Sequence, residues 1–137
     1  MMTAMWLLKT EPSTYSYSDL EREGRTVWDG VKNPLALKNL RAMQLGDPVV
    51  IYHTGDEKAA VGLAEVTKAA YRDPKGKYPA LVVVDLKAVG PLSRPVTLAE
   101  MKANPAFLES PLVRQGRLSV VPLTAAQWKA IEGKARP

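Results

Sequence analysis

Cysteine is absent from the 137-residue chain, and histidine and phenylalanine occur once each, as His53 and Phe107. Without thiols there is no disulfide framework, no thiolate zinc or iron–sulfur site, and no cysteine nucleophile. With one imidazole, a metal site built from several histidines is impossible within one chain, and a Ser-His-Asp arrangement has to use His53. The apolar runs, such as Ala80 to Val84, are far too short to cross a bilayer, so no membrane partner is expected. No basic leader precedes an apolar stretch of secretory length at the N-terminus, and the expectation is a cytosolic protein. None of the nine glycines forms GxGxxG or a phosphate loop, which argues against the usual handling of NAD, FAD or ATP. No cofactor is expected.

What is present suits a single globular domain spanning residues 1–137, with 46% hydrophobic and 24% charged residues. A chain of this length removes roughly two-thirds of its unfolded surface from water on folding. The net charge of +5 is unevenly distributed. Residues 1–68 carry eight Lys/Arg against nine Asp/Glu, net −1, and residues 69–137 carry eleven against five, net +6. That asymmetry points to an anionic partner met mainly by the second half; the plainer explanation is a solvated surface with a chance excess of lysine.

Proline and glycine punctuate the chain into short elements. Met5 to Lys9 reads as a first strand ended by Glu11-Pro12. Ser18-Asp-Leu-Glu21 reads as a capping box for a short helix stopped by Gly24, and Asn33-Pro34 opens a second helix running to about Met43. Strands are expected at Pro48–His53, around Val61–Val66 and at Leu81–Val89, the last bounded by Gly90-Pro91. Tyr71 to Pro79 reads as a polar, basic loop. Thr97-Leu-Ala-Glu100 is a second capping box, Leu118–Leu123 a last strand, and Thr124-Ala-Ala-Gln127 the cap of a closing helix. Strands joined by turns should pair antiparallel, and a small curved sheet or barrel with helices packed over it fits the pattern.

Three clusters stand out as able to carry chemistry. Lys9-Thr-Glu-Pro12 ends a strand with an ammonium, a hydroxyl and a carboxylate in succession. Trp28-Asp-Gly-Val-Lys-Asn33 sets an aromatic plane before a glycine turn, followed by an amide able to read a base edge. Arg114-Gln-Gly-Arg-Leu-Ser119 places two cations around a glycine, suited to phosphate contact. Each has a plainer reading: Lys9 and Glu11 as a surface pair, Trp28 as core, Asn33 as a helix cap. Taken one at a time, the plainer reading is the stronger. Tyr52 and His53 stand at the rim of the sheet; beside Asp56 and Glu57 the imidazole could act as a base, but a hydrogen-bonding rim group is the commoner role. Tyr71 and Tyr78, interleaved with Arg72, Lys75 and Lys77, suit stacking plus phosphate attraction, and a solvated loop explains them equally well.

Taken together, Trp6–Pro12, Trp28–Asn33, Tyr52–Thr54, Val61–Val66 and Arg117–Pro122 occur in order and at fitting intervals, and the chain resembles the EVE domain family from about Met5 to Ile131. The resemblance implies an α+β fold, a PUA-like small pseudo-β-barrel of five to six mostly antiparallel strands with short helices packed around it. It also implies a monomeric, non-enzymatic reader of DNA or RNA containing a modified cytosine, 5-methylcytosine among the candidates, with the base flipped from its strand into an aromatic pocket. Carried onto this chain, Trp28 would be the stacking plane and Asn33 an edge reader. Lys9, Thr10 and Glu11 would line the pocket, Tyr52 and His53 its rim, with Arg117 and Ser119 near the opening. Arg114, Arg117, Arg72, Lys75 and Lys77 would meet phosphates.

The alternative is an enzyme. The related ASCH domains include small amidohydrolases acting on modified cytidine with Lys, Thr and Glu, and Lys9, Thr10 and either Glu11 or Glu65 supply those types. Adjacent strand residues point to opposite faces, so Lys9 and Thr10 converge only where the strand bends or ends. A protein–protein adaptor is a third reading that no sequence feature supports directly.

Overall fold

A run of five buried residues, Val49 to His53, places one strand at the centre of the molecule, and the other elements are arranged around it. In this computed structural model residues 4–135 are described; residues 1–3, on which part of the leader reading falls, and residues 136–137 lie outside them. In chain order the elements are β1 (Met5–Thr10), α1 (Tyr17–Glu23), β2 (Arg25–Trp28), α2 (Pro34–Ala42), β3 (Pro48–His53), β4 (Ala59–Arg72) and β5 (Val82–Thr97). There follow α3 (Leu98–Lys102), a 3₁₀ turn (Pro105–Phe107), α4 (Pro111–Arg114), β6 (Val120–Leu123) and α5 (Ala125–Ala135). No helix among the described residues is long and apolar enough to cross a membrane.

The six strands form one mixed sheet in the order β2-β5-β4-β3-β1-β6. β3, β4 and β5 are successive antiparallel neighbours joined by turns. β1 pairs with β3 in parallel because the chain between them crosses over through α1, β2 and α2. Of the expected curved sheet or small pseudo-β-barrel, the barrel is corrected to an open sheet. Closure needs hydrogen bonds between the two edge strands, and here the four-residue edges β2 and β6 bond only to β5 and β1 respectively.

Several elements differ from the sequence reading. The first capping box uses Ser16 and Asp19, not Ser18 and Glu21: the Ser16 hydroxyl accepts the Asp19 N–H at 3.1 Å, and the Asp19 carboxylate accepts the Ser16 N–H at 2.9 Å. β2 was not expected at all. Gly90-Pro91 does not end β5 but bends it. Pro91 has no N–H, Gly90 donates its own to the Tyr17 hydroxyl at 3.0 Å, and the β4–β5 register shifts on either side. Tyr71 likewise lies in β4 rather than in a loop; its hydroxyl donates to Asp85 at 2.5 Å, and that carboxylate pushes its pKa up to about 12.

The core joins both faces of the sheet, with Leu7, Leu8, Ile51 and Leu86 fully buried from the strands and Leu20, Leu40, Met101 and Ile131 from the helices. Each such side chain contributes about 1.5–3 kcal/mol of burial. Trp6 belongs to this core, its indole N–H donating to the buried Asp47 carboxylate at 2.9 Å. α2 begins where the sequence places it. Asn33 accepts the Ala36 N–H at 3.0 Å, Pro34 follows as first residue, and Asn39 ties the helix to the Val120 carbonyl at 2.8 Å.

Candidate functional site

β1 ends at Thr10 and β2 at Trp28, and a cleft of about 540 Å³ opens between the two strand ends. The chain turns back after β1 as the Glu11 carbonyl accepts the N–H groups of Thr14 and Tyr15, both at 2.9 Å, which brings Thr14 and Tyr15 to the cleft wall. After β2 the chain turns through Gly30, whose φ of +78° is a conformation glycine adopts without strain. That turn lays Asp29 to Lys32 along the opposite lip. Lys9 and Thr10, neighbours in sequence, both reach the cleft because the strand ends there.

The aromatic wall is a pair. Trp28, 7% exposed, meets Tyr15 edge to face with centroids 6.2 Å apart and planes at 83°. The Tyr15 hydroxyl donates to the Glu23 carboxylate; burial first, and that carboxylate second, raise the phenol's pKa. The Thr10 hydroxyl donates to the Tyr15 carbonyl at 2.7 Å and so helps fix the ring's backbone. Lys9 Nζ donates to the Gly116 carbonyl at 2.8 Å and stands 5.7 Å from the centre of the Tyr52 ring. Burial lowers the pKa of that ammonium. One of its three N–H donors is thus engaged, leaving two to meet a solute. The cleft therefore combines an aromatic surface, the cations Lys9 and Lys32, the carboxylates of Glu23 and Asp29, and the apolar side chains of Val27 and Val31. A planar solute with donors and acceptors along one edge is complementary to such a set.

Of the expected pocket residues, Lys9, Thr10, Trp28 and Ser119 line this cleft; Glu11, Asn33, Tyr52 and His53 do not. Trp28 is buried in the core and also lines the cleft. Asn33 is engaged as the α2 cap and borders a separate groove with Arg117, Leu35 and Gly116. Glu11 faces solvent and accepts from the Ser13 N–H at 3.2 Å, the Ser13 hydroxyl at 3.0 Å and Thr54 at 3.3 Å. The Ser13 backbone bond is the main cause of its lowered pKa. Tyr52 is buried beneath Lys9, and His53 is buried between the start of α1 and Glu57.

The expected phosphate contacts are dispersed. Arg114 is tied to the Leu108 carbonyl and to Glu109, both at 3.1 Å. Arg72 is exposed at the end of β4. Lys75 and Lys77 line a second cleft, described below. Sequence reading missed Tyr15, Glu23, Asp29 and Lys32. Asp29 and Lys32 lie inside a motif already singled out, whereas Tyr15 and Glu23 come together only through α1 and carry no local signal. Among the described residues no group of three or more His, Asp or Glu side chains is placed to hold a metal ion.

Of the enzymatic alternative, Lys9 and Thr10 share the cleft, whereas its candidate carboxylates Glu11 and Glu65 lie outside it. Glu65 pairs with Lys87 at 3.0 Å and lines a different groove together with the partly buried Trp128. The Thr10 hydroxyl is committed to a backbone carbonyl.

The model of the EVE domain family matches residues 4–134. The chain belongs to the EVE domain family. This EVE domain is 30% identical to human thymocyte nuclear protein 1 over an alignment of 161 positions, covering 93% of this chain and 72% of that protein. The NMR structure of a Rhodopseudomonas palustris protein superposes with a TM-score of 0.90 at 40% identity, over 97% of this chain and 93% of that one. Human thymocyte nuclear protein 1 in complex with DNA containing 5-methylcytosine superposes with a TM-score of 0.89 at 29% identity, over 98% of this chain and 99% of that one. An ASCH protein from Zymomonas mobilis, 11% identical with a TM-score of 0.59 over 94% of both chains, shares the fold alone.

Proposed function

We propose that this EVE domain is a non-enzymatic nucleic-acid-binding module that receives a modified cytosine, turned out of its strand, in the cleft beside Trp28. The observation that carries this reading is the meeting of an aromatic ring, an ammonium and two carboxylates at the ends of β1 and β2. Cytosine presents an amino donor at N4 beside acceptors at N3 and O2. A carboxylate from Glu23 or Asp29 suits the donor, and the free N–H groups of Lys9 suit the acceptors. Val27 and Val31 offer an apolar contact to a methyl group at C5. Extruding a base costs a few kcal/mol, and stacking on an aromatic wall returns about 1–3 kcal/mol. The 5-methylcytosine DNA bound by the human relative supports the same ligand class here. The positions of Thr10 and Glu65 favour binding over hydrolysis.

The test is fluorescence-polarisation titration of labelled DNA and RNA strands that differ only in whether one cytosine is plain or modified, at two salt concentrations. The reading predicts tighter binding to one modified strand, with affinity falling as salt rises. Equal affinity for all strands contradicts it. Release of ammonia or acetate from modified cytidine, lost in Thr10→Ala, would establish the enzyme instead.

A further inference from the structure

A second cleft of about 510 Å³ lies on the other side of the Gly30–Lys32 segment, which lines both. Its far wall is the turn between β4 and β5, which carries Lys75, Lys77 and Tyr78. Tyr78 is 65% exposed, one of the few large hydrophobic side chains left in solvent. The turn is internally braced. Asp73 accepts the Lys75 N–H on its carboxylate at 2.9 Å and the Gly76 N–H on its carbonyl at 3.0 Å, and Leu81 donates to the Tyr78 carbonyl at 3.1 Å. Arg41 reaches over from α2 to the Ala80 carbonyl at 2.8 Å, tethering the turn to a helix of the core. An exposed aromatic ring thus stands on a held turn rather than a loose one, facing a cleft with three lysines against one aspartate that is already engaged.

From this we infer that the second cleft is a subsite for the nucleotide next to the extruded base: its base stacks on Tyr78, and the phosphate between the two nucleotides runs past Lys32 towards Lys75 and Lys77. The inference rests on the proposed reading of the first cleft and adds to it a specific occupant for the second. The shared Gly30–Lys32 wall makes the two compartments neighbours, as successive nucleotides of one strand require. Charge complementarity selects a polyanion, and the exposed ring selects a base over a bare phosphate chain. The 2′-hydroxyl distinguishes RNA from DNA at such a site, so both are tested.

The experiment uses the whole chain and single strands, DNA and RNA, with a central 5-methylcytosine. In parallel strands the base on the 5′ side or on the 3′ side is replaced by an abasic sugar, which keeps every phosphate. Wild type should lose about five-fold or more in affinity when one particular flank, and not the other, is abasic. Tyr78→Ala should lose a similar factor on the intact strand and nothing further on that abasic strand. Lys77→Gln should weaken all strands alike and flatten the salt dependence. The subsite is contradicted if neither abasic flank weakens wild type, or if the Tyr78→Ala and abasic losses simply multiply. Failure of the first-cleft reading looks different: plain and modified central cytosines then bind equally, whatever the flank.

Discussion

His53 Nε2 accepts the backbone N–H of Tyr17, the first residue of α1, at 3.0 Å, while its Nδ1 lies 2.7 Å from the Glu57 carboxylate. The imidazole therefore carries its proton on Nδ1 and satisfies one of the unpaired donors at a helix start. A residue with both ring nitrogens engaged and 8% exposure is a fastener between β3 and α1.

His53→Ala should lower stability by about 1–3 kcal/mol, the range for a buried donor left without its partner. Urea denaturation measures the loss, and the preference between plain and modified strands should be unchanged. A variant with normal stability and no preference would move His53 into the ligand site.

Gly62 is the second fastening point. A Cβ there would stand 2.4 Å from the Tyr17 ring, and that ring cannot swing away while its hydroxyl donates to the Leu63 carbonyl at 2.6 Å and accepts from Gly90 at 3.0 Å. Gly62→Ala should cost about 1–3 kcal/mol through overpacking. Tyr17→Phe, which removes both hydrogen bonds, should soften the penalty when the two changes are combined, and thermal unfolding of the three variants reads the coupling.

Glu100 closes the Thr97 capping box and pairs with Arg94, its carboxylate accepting from Arg94 at 2.8 and 3.1 Å and from the Thr97 N–H at 3.1 Å. The Arg94 bond first, and the backbone bond next, hold its pKa at about 2 against an ordinary 4.5. Between those values the unfolded chain binds the extra proton, so the stabilisation is complete above about 4.5 and is lost as pH falls towards 2. The melting temperatures of wild type and Glu100→Gln should accordingly differ at neutral pH and converge near pH 2. A gap that persists unchanged at that pH would refute the carboxylate's role.

Asn33 and Trp28 stand five residues apart but should separate cleanly. Asn33→Ala removes a helix cap and should cost about 0.5–2 kcal/mol of stability, with the preference for a modified strand intact. Loss of that preference at unchanged stability would restore Asn33 as an edge reader.

What was legible in the sequence was local. Asn33-Pro34 and the Thr97–Glu100 box announce helix starts because cap and first turn are adjacent in the chain, and the α5 start is confirmed by the reciprocal Thr124–Gln127 bonds at 2.9 and 3.1 Å. The same cap-then-proline pattern recurs at Ser110-Pro111, where it opens α4 unrecognised because the helix has only four residues. β2 escaped notice because four residues give too little alternation, and its partner β5 begins more than fifty residues later. Gly90-Pro91 looked like a stop because the Tyr17 hydroxyl that takes up the Gly90 N–H arrives from a distant helix. In the cleft, the motif residues Lys9, Thr10 and Trp28 were visible, whereas the Tyr15–Glu23 pair exists only once α1 has folded.

The most direct test follows the three tryptophan indole N–H signals by NMR while a strand with a central 5-methylcytosine is added. Trp6 is hydrogen-bonded to Asp47 in the core, Trp128 lines the groove of Glu65 and Lys87, and Trp28 walls the proposed base site. The Trp28 signal should shift with the modified strand and far less with the plain one, while those of Trp6 and Trp128 stay in place. A Trp128 signal that moves while Trp28 is still would put the ligand in the groove of Glu65 and Lys87 and overturn the assignment.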